Sequence, residues 1–424
     1  MYAKENRQAP FTDEQIDLSI QDSLNTFTLD NKKVLVVIPD TTRSGPTGRI
    51  VRTIAGELSH KVKKLDFLVA LGTHPQMPQD ALLGFLGIPR EELKNRFAGI
   101  NFFQHAWDDE KQLMHIGTLT ADEVAKISGG LLNEKIPVTI NRKVNDYDAI
   151  VLAGPVFPHE VVGFSGGYKY LFPGISGPHF LHRFHWLGAL ITNPKINGEK
   201  DTPVRALINR AAEFLNMPVC LICYVVKEKK MHGIFAGSID AWSAAADLSA
   251  VLNIKYTGRS YHTVISIAPS MYEDIWTAGK CMYKLEPVVE NGGTLIIYAP
   301  HVREVSYTHG AQLEKIGYHT RDYFLAQMEK FADVPGGILA HSTHVKGIGT
   351  FKNGVEKPRV NVVLATGIPE EICERINLRF MDWRTIDIKQ YEGRESEGVL
   401  VVHDAGEVLY RLADGTVPDI DALG

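Results

Sequence analysis

Short apolar, β-branched runs recur along the chain, each closing on Gly, Pro, Asp or His. They are VLVVIPD at 34–40, LDFLVALGTH at 65–74, DAIVLAGPV at 148–156 and VCLICYVV at 219–226, then TVISIAPS at 263–270, TLIIYAP at 294–300 and VNVVLATG at 360–367. Such near-continuous apolar runs read as strands buried on both faces. Between them lie amphipathic segments such as RIVRTIAGELSHKVKK, TPVRALINRAAEFLN and RDYFLAQMEKFAD, which read as helices. Strands of this kind alternating with helices predict the α/β class, with largely parallel sheets covered on both sides. The length of 424 residues exceeds one ordinary domain. The expected division is an N-terminal α/β domain over 1–255 and a second α/β domain over 260–424, with the active site in the cleft between them. The closing segment GVLVVHDAGEVLYRLADG could return to the first domain.

In such folds functional groups collect beyond the C-terminal ends of strands. The first long run ends in DTTRSGPTG and delivers Asp40, Thr41, Thr42 and Arg43; the second ends in GTHPQMP and delivers His74; the third ends in GPVFPHE and delivers His159. A core has no use for charged groups, and strand-tip loops preferentially carry sites. The alternative is that DTTR caps a helix and the histidines are hydrated loop residues. The stretch HEVVGFSGGYKYLFPGISG then combines His159, the double glycine Gly166–Gly167 and Lys169 between Pro158 and Pro173. Its glycines allow close backbone approach, and a turn of exposed N–H groups can hold an anion. The Walker A spacing and G-x-G-x-x-G are both absent. His179, His182 and His185 come next at intervals of three, a spacing that on a helix spreads them around the surface, so not all three need face one ligand. No H-E-x-x-H or Cys/His quartet of zinc type occurs.

Composition narrows the partners. Hydrophobic residues make up 44% and charged ones 22%, as in a soluble globular protein. The net charge of −5 gives no basic field for nucleic acid or an anionic membrane, so a small-molecule ligand is expected. The N-terminal residues lack an apolar targeting core and no apolar run reaches the roughly 18 residues of a membrane span, which gives a cytoplasmic expectation. Four cysteines suit a reducing compartment. Cys220 and Cys223 form a C-x-x-C inside a β-rich run, where positions three apart point to opposite faces and cannot readily share a metal or a disulfide.

DTTR, GTH, and H-x-x-x-G-F-S-G-G-x-K-x-x-x-P-G-I-S with a histidine sixteen residues after the lysine together resemble the nickel-dependent lactate racemase family, in order and spacing up to His185. The resemblance implies a nickel-pincer nucleotide, a nicotinate-derived mononucleotide whose ring carbon and two sulfurs hold Ni(II). It implies covalent attachment of that group through Lys169, with Gly166, Gly167, Asp40, Thr42 and Arg43 also at the cofactor, His185 as the nickel ligand, and His74 and His159 as the acid/base pair. It further implies enzymes that build the cofactor as partners. The implied reaction is inversion at C2 of a 2-hydroxy acid. A histidine removes the hydroxyl proton while the C2 hydrogen leaves as hydride, and return of hydride to the other face of the transient 2-keto acid inverts the centre. Removing hydride avoids the strong base that a proton beside a carboxylate would demand, and imidazole serves in either protonation state.

In the second half, SMYEDIWTAGK departs from the family, which carries Tyr-Gln and then Lys three residues on. This chain has Trp276, Thr277 and Lys280. Lys280 and Arg43 remain suited to a substrate carboxylate, while Trp276 and Thr277 change the substrate pocket or, alternatively, pack and cap a turn. His301, Arg303, His309, His319, Arg321, His341 and His344 are unusual for a helical region. They could bind a polyhydroxylated substrate or face solvent. These residues together give a racemase or 2-epimerase preferring a sugar acid, an aldonate, with lactate and other short-chain hydroxy acids as the alternative. From other classes stand a non-catalytic nucleotide- or metal-binding protein and a Schiff-base enzyme using Lys169.

Overall fold

The computed structural model describes residues 1–423. The chain separates into two compact units, one of residues 1–157, 164–181 and 205–252, the other of residues 158–163, 182–204 and everything from Asn253 onward. The expected single boundary near 255 therefore differs from this partition in two places, because 158–163 and 182–204 cluster with the second unit, as does the closing segment.

The first unit is built on seven strands: β1 (Tyr2–Glu5), β2 (Lys33–Ile38), β3 (Lys64–Val69), β4 (Phe102–Gln104), β5 (Ala149–Pro155), β6 (Val219–Lys227) and β7 (Lys230–Gly237). Their order across the sheet is β1-β7-β6-β5-β2-β3-β4. The four contacts of β3 with β4, β2 with β3, β2 with β5 and β5 with β6 are parallel. Val34, Val36 and Ile38 of β2 pack in one cluster with Ile16 and Ile20 of helix α1 (Asp13–Asn25) and Ile50 and Ile54 of helix α2 (Thr47–Leu58), and Leu35 and Val37 on the opposite face are equally buried. Burial on both faces is why these runs are continuously apolar. A capping box between Thr12 and Gln15 starts α1. Cys220 is half-buried and Cys223 fully buried on β6, and all four cysteines are free. Burial pushes the Cys220 thiol up to about 11 and the Cys223 thiol up to about 12, so neither is a ready thiolate.

The second unit has a five-stranded, all-parallel sheet of β8 (Tyr261–Ile267), β9 (Val289–Ala299), β10 (Asn361–Thr366), β11 (Arg379–Phe380) and β12 (Val399–Val402), in the order β11-β10-β9-β8-β12. Two helices carry four of the histidines of this unit, His182 and His185 on α3 (Pro178–Ile191), which enters it at His182, and His341 and His344 on α4 (Gly336–Lys346), buried along nearly its whole length.

Elements differ from their expected extents where local geometry intervenes. The segment expected as one helix over 321–333 is a short helix at Arg321–Leu325 and a 3-10 turn at Met328–Phe331. The break lets Phe331 fold back edge-on against Phe324, with ring centroids 4.9 Å apart. An antiparallel pair, Leu113–Leu119 with Ile136–Asn141, went unread because the first strand has no regular alternation and the second is short and interrupted by Pro137. Among the described residues no helix is long and apolar enough to cross a membrane.

Candidate functional site

In the first unit, β2 stops at Ile38 and Asp40 lies in the turn beyond it, 6% exposed. Neighbouring β3 stops at Val69, and the loop after it carries His74 back so that its Nδ1 meets Asp40 Oδ2 in a very short contact. Asp40 Oδ1 accepts from the Thr42 hydroxyl at 2.7 Å and from the Thr42 N–H at 3.1 Å. Burial pushes the Asp40 carboxyl up, but the His74 charge and hydrogen bond, the Thr42 hydroxyl and the Arg43 charge outweigh it and hold the group well below the usual carboxylate range. An ionised Asp40 makes His74 Nδ1 the donor, and Nε2 is then the ring nitrogen that can exchange a proton.

The glycine-rich loop is locked from below. Gly166 and Gly167 take φ of 79° and 59°, the left-handed region, and a Cβ on Gly167 would stand 2.9 Å from the Trp242 ring. Trp242 Nε1 donates to Ser165 O at 2.8 Å. The Arg205 guanidinium lies over the Trp242 ring at 4.1 Å and donates to Gly166 O at 3.3 Å. Burial lowers Arg205 to about 9. Lys169 emerges half-buried from the 3-10 turn Gly167–Tyr170. Its neighbour Tyr170 is near enough to feel the charges of Arg43 and Asp40, so this turn and the Asp40–Arg43 turn are adjacent.

In the second unit, His159 is 4% exposed and its Nδ1 accepts the Val161 N–H at 3.1 Å. The same Nδ1 lies 3.3 Å from Glu160 Oε2. The two contacts require opposite states of that nitrogen. The backbone bond sets the neutral tautomer with its proton on Nε2, and protonation would engage Glu160. Around His185, half-buried on α3 against Phe184, stands a wall of buried imidazoles. Trp276 is held between His341 and His309, with centroids at 4.2 and 4.5 Å, and the Tyr318 hydroxyl meets His341 Nε2 at 3.3 Å. Burial, then His344, His309 and His185, keep His341 well below the usual imidazole range. Burial lowers His344 to about 4, opposed by Glu160. Lys280 is 8% exposed, and its ammonium sits 4.7 Å over the Tyr272 ring. The Thr277 hydroxyl bonds Asp274 Oδ1 at 2.7 Å inside its own helical turn.

The sequence-predicted residues thus fall into two groups. Asp40, Thr42, Arg43, His74, Gly166, Gly167 and Lys169 belong to the first unit, and His159, His185, Trp276, Thr277 and Lys280 to the second. Of the unusual polar residues in the second half, His309, His341 and His344 are buried instead of facing solvent. His301, His319 and Arg321 are engaged with Tyr272 O, Glu356 and Leu190 O respectively. Glu160, Arg205 and Trp242 were not read from the sequence. Glu160 was signalled by its place beside His159, whereas Arg205 and Trp242 had no local sign.

Residues 2–197 match the model of the lactate racemase N-terminal domain. Two lactate racemases align over 66% of this chain and 62% of their own length, that of Thermoanaerobacterium thermosaccharolyticum at 25% identity and that of Lactiplantibacillus plantarum at 24%. The match therefore spans less than two thirds of either relative. A Thermotoga maritima protein of known crystal structure is 32% identical, with a TM-score of 0.86 over 96% of this chain and 100% of that one. The lactate racemase apoprotein of T. thermosaccharolyticum, 18% identical, shares the fold with a TM-score of 0.70 over 95% of this chain and 94% of that one. Residues 2–197 thus belong to the lactate racemase N-terminal domain family, and the likeness to lactate racemases extends over 66% of the chain.

Proposed function

We propose that the protein inverts C2 of a 2-hydroxy acid, acting as a racemase or epimerase with a preference for a sugar acid. The observation that carries this reading is that each of the two candidate imidazoles has a carboxylate at its Nδ1, Asp40 for His74 and Glu160 for His159. Inversion in both directions at one carbon needs two groups that exchange the roles of acid and base, and an imidazole backed by a carboxylate does either. Arg43 and Lys280 are the cations for the substrate carboxylate. Trp276 and Thr277 stand where the family carries Tyr-Gln, and Trp276 is fixed between two histidines. A pocket with such a wall favours a larger, more polar acid than lactate. The lactate alternative is supported by the names of the two curated relatives.

The residues fit a nickel-pincer nucleotide. Lys169, half-buried at the end of a rigid glycine turn, would hold its acyl group, and His185 would add one imidazole to soft sulfur donors, a set that suits nickel. Among the described residues no three His, Cys, Asp or Glu side chains are arranged to hold a metal ion by themselves, so His185 would be joined by the nucleotide's own donors. Acceptance and return of hydride is the chemistry such a group supplies when bound. His74 and His159 hold and return the hydroxyl proton; Asp40 orients His74, the Val161 N–H orients neutral His159, and Glu160 stabilises His159 when it is protonated. A cytoplasmic site of action, with the nucleotide-building enzymes as partners, belongs to the same proposal.

The test is C2 inversion of gluconate, malate and lactate by protein coexpressed with the cofactor pathway. Inversion of gluconate faster than lactate is expected. Fast lactate turnover with inert gluconate would refute the sugar-acid preference, and inertness toward all three would refute the reaction.

A further inference from the structure

Within the second unit, a small cavity lies between the ends of α3 and α4. Thr192, Asn193, Glu286, Arg321 and His344 are among its walls, and its volume of about 10 Å³ is close to that of one water molecule. Two of these side chains carry a buried polar atom with no hydrogen-bond partner in the protein, Thr192 Oγ1 and His344 Nε2, and each residue is only 5% exposed. Buried polar atoms in folded proteins are paired with protein or with ordered water. A cavity of this size with both residues on its wall offers room for one water that meets that requirement for both at once.

Two further observations support the site. Thr192 has φ of 92°, a conformation that glycine adopts freely and a β-branched residue does not. What threonine adds over glycine there is a methyl and the orphaned hydroxyl. Glu286, wholly buried on the same wall, accepts the Ile348 N–H at 2.8 Å and the Asn193 amide at 3.4 Å, which leaves carboxylate acceptor capacity for another donor.

We infer that this cavity is a hydration site, in which one resident water bridges Thr192 Oγ1 and His344 Nε2 beside the Glu286 carboxyl. The water ties the end of α3, the helix of His185, to α4, the helix of His341 and His344, and makes Thr192 and His344 positioning residues. The link to catalysis rests on the function proposed above; the water site itself does not.

The experiment is a crystal structure at about 1.5 Å of the purified wild type, T192S and T192V, with melting temperatures for all three and for T192G. Expected is a density peak about 2.6–3.2 Å from both Thr192 Oγ1 and His344 Nε2 in wild type and T192S, and none in T192V. T192S should melt within about 1 °C of wild type, and T192V and T192G about 2 °C or more below. A dry cavity in the wild type, or a T192G protein at least as stable as wild type, would overturn the site. In cofactor-loaded protein T192V should lower kcat about tenfold with KM within twofold. A change confined to KM would remove the positioning role, and a racemase reading that fails leaves the crystallographic outcome unaffected.

Discussion

Asp40 and His74 are 34 residues apart and meet because β2 and β3 are adjacent in one parallel sheet and release both residues at the same edge. The carboxylate is buried and its partners hold it ionised, so removing its charge should cost more than a surface ion pair would. We expect Asp40→Asn to lower stability by about 1–3 kcal/mol at pH 7, read from urea unfolding midpoints. An unchanged midpoint would contradict the buried pair. The same variant should slow C2 inversion, because His74 would lose the acceptor that fixes its Nδ1 proton. His74→Ala and His159→Ala should each reduce inversion by about 10²–10⁴-fold while leaving attachment at Lys169 intact, the two effects being separated by rate assay and intact mass. Loss of attachment in either variant would place that histidine at the cofactor instead.

The glycine-rich loop shows at the level of elements what a sequence can and cannot reveal. Its composition announced a special backbone, and the left-handed Gly166 and Gly167 bear that out. The parallel strands were legible for a related reason, since burial on both faces forces a continuous apolar run. The parts that stayed hidden are those set by distant partners. Trp242 reads as one more apolar residue of a helix, yet it is the floor on which the loop rests, with Arg205 layered over it. The imidazole wall was visible as an excess of histidines, but only the fold shows His309 and His341 closing on Trp276. Gly167→Ala should therefore destabilise the protein by about 1–3 kcal/mol, through a strained φ and a clash with Trp242. Trp242→Phe should cost about 1 kcal/mol for the lost bond to Ser165 O. Both are measurable by thermal unfolding, and an alanine at 167 without cost would show that the loop is not held by its floor.

Across the whole molecule these groups give acid sensitivity in two steps. His105, a buried imidazole of the first unit bonded to Ser176 O and the Asn141 amide, and His344 are both lowered to about 4 from the ordinary 6.5, chiefly through burial. The unfolded chain binds their protons first, so stability is lost as the pH falls from about 6.5 toward 4, by on the order of 3 kcal/mol for each group. The Asp40 contribution has the depressed-carboxylate sign: it is present above the ordinary carboxylate value of 3.8 and is lost only as the pH drops below it. Urea titrations at pH 7, 5.5, 4.5 and 3.5 should show the wild type weakening between the first three, and the Asp40→Asn difference shrinking only at the last. A flat profile down to pH 4.5 would contradict the buried neutral imidazoles. The central claim is tested most directly by peptide mass spectrometry of the protein coexpressed with the nucleotide-building enzymes, alongside the T. thermosaccharolyticum lactate racemase made in the same cells. The account predicts a nucleotide-sized mass increment on the peptide containing Lys169 that vanishes in Lys169→Arg. An unmodified Lys169 beside a modified relative would contradict it.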